Sequence, residues 1–305
     1  MLTSFWQGVG TKLAERWVAA LAPSMVFWGI GLAVTGLDAG SLAARPPAVQ
    51  VLVLAGALLL VSASALLVRR LVFPLTRLLE GYGWPVSARG RLLVRAGKRH
   101  DALEKDYQRV NTRLESRELK PFDRLELLEA RSRLELHLRR FPDEPDTEAP
   151  QRLMPTRLGN ILRAAESRPA DKYGLDAVVC WPRLWLVLPE ESRKELGAAR
   201  TAMDNAVAAM IWSALLLAWT PWTWWALVGP GAAFLTYRLW LLDRAADYGE
   251  LVESAFDVHR GALYAALRWP LPAAPDQERA LGESLTSYLW RGSDAAEPRF
   301  ADEPE

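Results

Sequence analysis

Twenty-one consecutive residues without a charge, Ala48–Val68 (AVQVLVLAGALLLVSASALLV), run directly into Arg69 and Arg70. As a helix rising about 1.5 Å per residue, a stretch of that length reaches across a hydrocarbon core of about 30 Å. A buried helix of a water-soluble protein is seldom apolar for so long. The paired arginines also mark the kind of edge at which a membrane ends. The stretch therefore predicts a transmembrane helix, and the rest of the chain is read around it.

Three further segments fit the same environment. Val18–Gly36 carries no charge, and its Gly29 and Ala33 form a small-xxx-small pair at which another helix can approach closely. Ala206–Thr220 and Trp222–Tyr237 are charge-free over fifteen and sixteen residues, short for a full crossing, so a re-entrant hairpin is the alternative. Between them, Pro221 and four tryptophans (Trp219, Trp222, Trp224, Trp225) form a tip suited to the amphipathic edge of a bilayer. Gly229, Pro230 and Gly231 predict a kink or break in the last segment. The fold expected is an all-α integral membrane protein with four membrane segments in two hairpins, 18–68 and 206–242. A net charge of +1 and a mean hydropathy of -0.01 conceal this partition, because the charged residues fill the remainder of the chain.

Charge sets the orientation. Between residues 69 and 99 stand Arg69, Arg70, Arg77, Arg89, Arg91, Arg95, Lys98 and Arg99 against the single acid Glu80. By the positive-inside rule this flank is cytoplasmic, which puts both chain ends inside. Arg69, Arg70, Arg77, Arg89 and Arg91 are the candidates for facing lipid headgroups. Residues 1–17 read as an amphipathic N-terminal segment with Lys12 and Arg16 toward water. An arginine- and alanine-rich, lysine-poor composition suggests a bacterial inner membrane. Cys180 is the only cysteine, so no intramolecular disulfide and no cysteine metal cluster exists; within its apolar run it reads as a buried thiol.

The polar parts read as a cytosolic helical domain, 69–205, completed by C-terminal helices in 243–292 and an acidic tail, 293–305, expected to be disordered. Within 100–141, Leu103, Tyr107, Val110 and Leu114 form one helical stripe. Leu127, Ala130, Leu134, Leu138 and Phe141 form a second, and the break at Lys120–Pro121 between them predicts an antiparallel helical hairpin. The run FPDEPDTEAPQ, 141–151, is a linker, and a helix is expected over Thr156–Ser167. Leu175–Leu188 is apolar but too short to span; it is either the centre of the domain or an interfacial segment held by Trp181 and Trp185. Pro189 can open a helix that continues through Asn205 into the third membrane segment, forming a rod.

Chemistry is sparse. Glu253, Asp257, His259 and Arg260 form the strongest polar cluster, able in principle to orient a general base, though a solvated face with an ion pair accounts for it as well. Thr156, Arg157, Asn160 and Arg163 stand where a helix N-terminus could hold a phosphate, or where an ordinary cap would stand. No Walker A, G-x-G-x-x-G or G-x-S-x-G motif occurs. The four membrane segments hold no Asp, Glu, Lys, Arg or His, which argues against an ion-coupled carrier. The expectation is a non-enzymatic protein with no catalytic residue, cofactor or metal. It is expected to form a homo-oligomer among membrane lipids, with its cytosolic domain controlling a pore or permeability change. A scaffold docking a soluble partner through 100–141 is the alternative, followed by a membrane enzyme using Glu253, Asp257 and His259. No nucleic-acid partner is expected.

Overall fold

The computed structural model describes residues 21–36, 44–116, 119–143, 152–292 and 297–301. Among them every regular element is helical and none is a strand. The N-terminal segment 1–17, the linker from 144 to 151 and most of the acidic tail lie outside the described residues. The helices are α1 (Leu21–Thr35), α2 (Pro47–Glu80), α3 (Val86–Leu114), α4 (Pro121–Leu138), α5 (Arg157–Tyr173), α6 (Ala177–Val187), α7 (Glu190–Leu215), α8 (Val228–Thr236), α9 (Leu242–Ala266) and α10 (Pro275–Arg291).

Two helical stretches are long and apolar enough to cross a membrane, Pro47–Glu80 and Glu190–Trp219. Only 11% of the most apolar window of α2 is buried in the protein, and 28% of the second. A core helix of a water-soluble protein would be mostly covered, and neither of these is. The described part of α1 is apolar but short, ending at Gly36 with φ +66°. The stretch expected as a fourth span changes helix type twice. A 3₁₀ turn (Trp224–Leu227) leads into α8, and a π-turn (Tyr237–Leu241) leads out of it.

The chain divides into two units: residues 1–76 with 204–241, and residues 77–203 with 242–305. In the first, a tryptophan-rich cluster packs the helices. Phe27 of α1 lies 5.4 Å, centroid to centroid, from both Trp212 and Trp219, and Trp28 meets Trp219 edge-on at 5.8 Å. The Trp28 indole donates to Ser64 Oγ of α2 at 3.1 Å. The close approach falls at Gly31, where an added Cβ would meet the Trp219 ring at 2.2 Å, and not at Gly29, which has nothing within 4 Å. Ser24, buried here, returns its hydroxyl proton to its own helix at Leu21 O, the usual way a hydroxyl is satisfied in an apolar setting.

The second unit is built on α5, α6, α9 and α10, with Leu175, Cys180, Leu184, Phe256, Leu263, Tyr264 and Leu285 at its centre. This places the 175–188 run in the core. Asp176 caps α6 by accepting from Val178 N at 2.8 Å and Val179 N at 3.2 Å. Helix α5 outlasts the expected Ser167, passes Pro169 and stops at Gly174 (φ +70°). There Gly174 N reaches Ala170 O and Leu175 N reaches Pro169 O, closing the last turn. Helices α3 and α4 form an antiparallel pair whose expected stripes are the half-buried sides, tied by Tyr107 Oη donating to Glu135 Oε1 at 3.0 Å. Helix α3 begins at Val86, fourteen residues before the expected start; Gly90, Gly97 and a run of arginines conceal its half-buried side, Leu92, Leu93 and Ala96.

Candidate functional site

The polar cluster on α9 is where the structure gathers most charge. Glu253 Oε2 accepts from Arg168 Nη1 at 2.7 Å, and Glu253 Oε1 faces Lys172 Nζ at 2.7 Å. One turn along, Asp257 takes Lys172 at 3.2 Å and the Tyr173 hydroxyl at 2.6 Å. Arg260 stacks over the Tyr173 ring, 4.2 Å from its centroid, and bonds Glu278 of α10 at 2.5 Å. The acids sit four apart on α9 and the bases four apart on α5, so two helices crossing at one point close both pairs.

Electrostatics follow from that geometry. Burial, the largest influence on Glu253, pushes its pKa up, but bonds and charges from Lys172 and Arg168 outweigh it and hold the carboxyl below its ordinary value. Lys172 likewise loses to burial and gains more from Glu253 and Asp257, so its ammonium is held above the ordinary lysine value. Burial and the bond to Asp257 raise Tyr173. All four carboxylate oxygens of Glu253 and Asp257 are engaged by protein donors. These bonds make the cluster a clasp between α5, α9 and α10.

The fourth member, His259, points elsewhere, its Nε2 lying 3.3 Å from Ser192 Oγ of α7. The structure thus brings Glu253, Asp257 and Arg260 together and separates His259 from them. Among the described residues, no group of three or more His, Cys, Asp or Glu side chains is placed to hold a metal ion. The phosphate-site candidate at Thr156 is a cap. Thr156 Oγ1 accepts from Gly159 N at 2.9 Å, and Asn160 is spent on Met154 and Thr156 backbone. A Cβ at Gly159 would meet the Glu80 carbonyl at 2.2 Å, so the end of α2 covers the N-terminus of α5.

No family model, curated protein or solved structure matches this chain.

The membrane-facing candidates divide as well. Arg69 and Arg70 are exposed on α2, whereas Arg77 is drawn back over the Tyr82 ring at 3.9 Å. Arg89 and Arg91 are exposed on α3. Trp222, Trp224 and Trp225 are exposed, the last two stacked at 3.9 Å, while Trp219 is half-buried against Phe27, Trp28 and Gly31. Gly229, Pro230 and Gly231 occupy the first turn of α8, where a missing proline N–H costs nothing. Gly229 is there for closeness, since a Cβ would stand 2.5 Å from Ser213 O. The residues that sequence reasoning missed are Arg168, Lys172, Tyr173 and Glu278. The readable signal was the matched i,i+4 spacing of Arg168/Lys172 and Glu253/Asp257.

Proposed function

We propose that this chain is a multi-pass protein of a bacterial-type inner membrane, without enzymatic activity. In this reading it assembles as a homo-oligomer, and its aqueous helical unit controls a pore or permeability change in its membrane unit. One observation carries the proposal. Each passage of the chain from one unit to the other falls within helical backbone: at Thr76/Arg77 inside α2, at Met203/Asp204 inside α7, and at Leu241/Leu242 where the π-turn meets α9. A hydrogen-bonded helix transmits displacement and rotation that a loop would absorb. The bare apolar surface of α2 supports the membrane setting. The test is the mass and symmetry of the particle in nanodiscs, followed by conductance in planar bilayers under tension. A closed ring that conducts is expected; a monomer that carries no current overturns the proposal.

A second reading, a membrane-anchored scaffold, has its own support. Neither α3 nor α4 contains a buried residue, and Phe122, Leu125 and Leu136 are exposed on α4, Phe122 at 76%. Such a face suits a helical partner. Phe122→Glu with Leu125→Glu should then abolish recovery of a specific soluble partner while insertion is unchanged; unchanged recovery removes this reading.

A further inference from the structure

The first half of α3 carries a face that the described fold leaves bare. Five residues separate it from candidate span α2, and their geometry is specific. Gly81 turns the chain at φ +105°, and the Trp84 indole donates back to Leu78 O of α2 at 2.7 Å. From there to Asp101 the chain holds no acid. Arg89, Arg91, Arg95 and Lys98 are all exposed, and none makes an ion pair with a described residue. Arg91, Val94, Arg95 and Lys98 follow i, i+3, i+4, i+7 spacing and so share one side of the helix. Leu92, Leu93 and Ala96 are half-buried on the other.

The composition of the bare side selects its partner. Cations alone would suit any polyanion. Here, however, Val94 stands 59% exposed in the middle of the cations. A nucleic acid offers phosphate but gains little from an isolated valine; it is stacked on by aromatic rings, which this side lacks. The surface of an anionic bilayer takes both, with phosphates against the cations and the acyl boundary against Val94. We propose that the Arg91/Val94/Arg95/Lys98 side of α3 lies on anionic phospholipid headgroups. The proposal rests on the reading that α2 spans a membrane, since the span is what keeps α3 near the lipid surface.

The experiment uses the full chain carrying Val94→Cys, labelled with an environment-sensitive fluorophore. Cys180, fully buried, supplies no competing label, which the unsubstituted protein checks. The protein is placed in nanodiscs of phosphatidylcholine alone and of phosphatidylcholine with phosphatidylglycerol. The expected result is a blue shift and protection from the neutral quencher acrylamide in the anionic discs only, weakened by salt. Arg91→Gln, Arg95→Gln and Lys98→Gln should lower the bound-to-free ratio of this face roughly fivefold each, on the order of a hundredfold together. Equal quenching in both lipids, with the chain incorporated, overturns the proposal. So does equal protection in both, which would mark an uncharged contact, and so does protection conferred by added single-stranded RNA instead of by lipid. Failure of the spanning reading looks different, because the chain would then be released from membranes by alkaline carbonate and would not enter the discs.

Discussion

Arg168 Nη1 and Glu253 Oε2 lie 2.7 Å apart although 85 residues separate them, and their side chains are 14% and 8% exposed. A pair so enclosed leaves an uncompensated charge when one partner is lost. Glu253→Ala is therefore expected to destabilise the second unit by about 3 kcal/mol, because the enclosed Arg168 would lose its carboxylate and Lys172 would keep only Asp257. Thermal unfolding of the detergent-extracted chain checks this. Arg168→Ala should cost less in the Glu253→Ala background than in the native one, and strict additivity would show that the two do not act together.

Acid should act on two glutamates in opposite senses. Glu253 is held below the ordinary glutamate value of 4.5, so its contribution is present above pH 4.5 and fades as pH falls through the lowered value. Glu166 is raised, first by burial and against the opposing Arg163 charge. Its contribution is complete below pH 4.5 and is lost as pH rises through the raised value. Glu166→Gln should thus raise the melting temperature at neutral pH and leave the acid limb intact. Glu253→Gln should remove the acid limb. Melting curves across pH for the three proteins separate the two effects.

Cys180 should be silent until the second unit opens. Burial raises its thiol from 9.0 to about 11, against the weaker pull of the Thr286 hydroxyl, which leaves two orders of magnitude less thiolate. Maleimide labelling at neutral pH should follow unfolding. A fast, denaturant-independent reaction would contradict the burial described here.

Two glycines seat α10 on the end of α5. A Cβ at Gly282 would stand 1.8 Å from Tyr173 O, and one at Gly174 would stand 2.1 Å from Arg279 O on a backbone with φ +70°. Both alanine variants should lose about 2–3 kcal/mol through overpacking and, at Gly174, left-handed strain. Gly261, inside α9 with nothing within 4 Å, should behave in reverse, with alanine adding about 0.5–1 kcal/mol. Comparing the three melting temperatures tests the assignment.

The tryptophans of the first unit should fall into two classes. Trp224 and Trp225 are exposed, so changing both to Phe should reduce quenching by headgroup-proximal brominated lipid with stability within about 0.5 kcal/mol. Trp219 is half-buried against Phe27, Trp28 and Gly31, and Trp219→Ala should cost about 2 kcal/mol. Equal quenching in the Phe double variant would count against a lipid-facing tip.

Local periodicity carried much of this architecture. The α2 run and the stripes Leu103/Tyr107 and Leu127/Leu134 are legible because each repeats within one helix. What was not legible came from distant partners. The run 175–188 reads equally as core or interface until Phe256, Leu263 and Leu285 are brought against it. Nothing near Glu253 names Arg168. Gly29 and Gly31 look alike in sequence, and only the position of Trp219 shows which one is needed. The helix expected to end at Ser167 runs on through Pro169 to Tyr173.

The core of the second unit imposes an order on synthesis. Leu175, Cys180 and Leu184 leave the ribosome well before Phe256, Leu263 and Leu285, which enclose them, and the apolar stretch 206–237 comes between. At roughly 5–20 residues per second, half of this core waits several seconds for its other half. During that interval Leu184 and Leu188 lack the side chains that cover them in the finished unit. Stability of the finished unit thus comes with a window of vulnerability to aggregation and proteolysis, closed only when translation has passed Leu285.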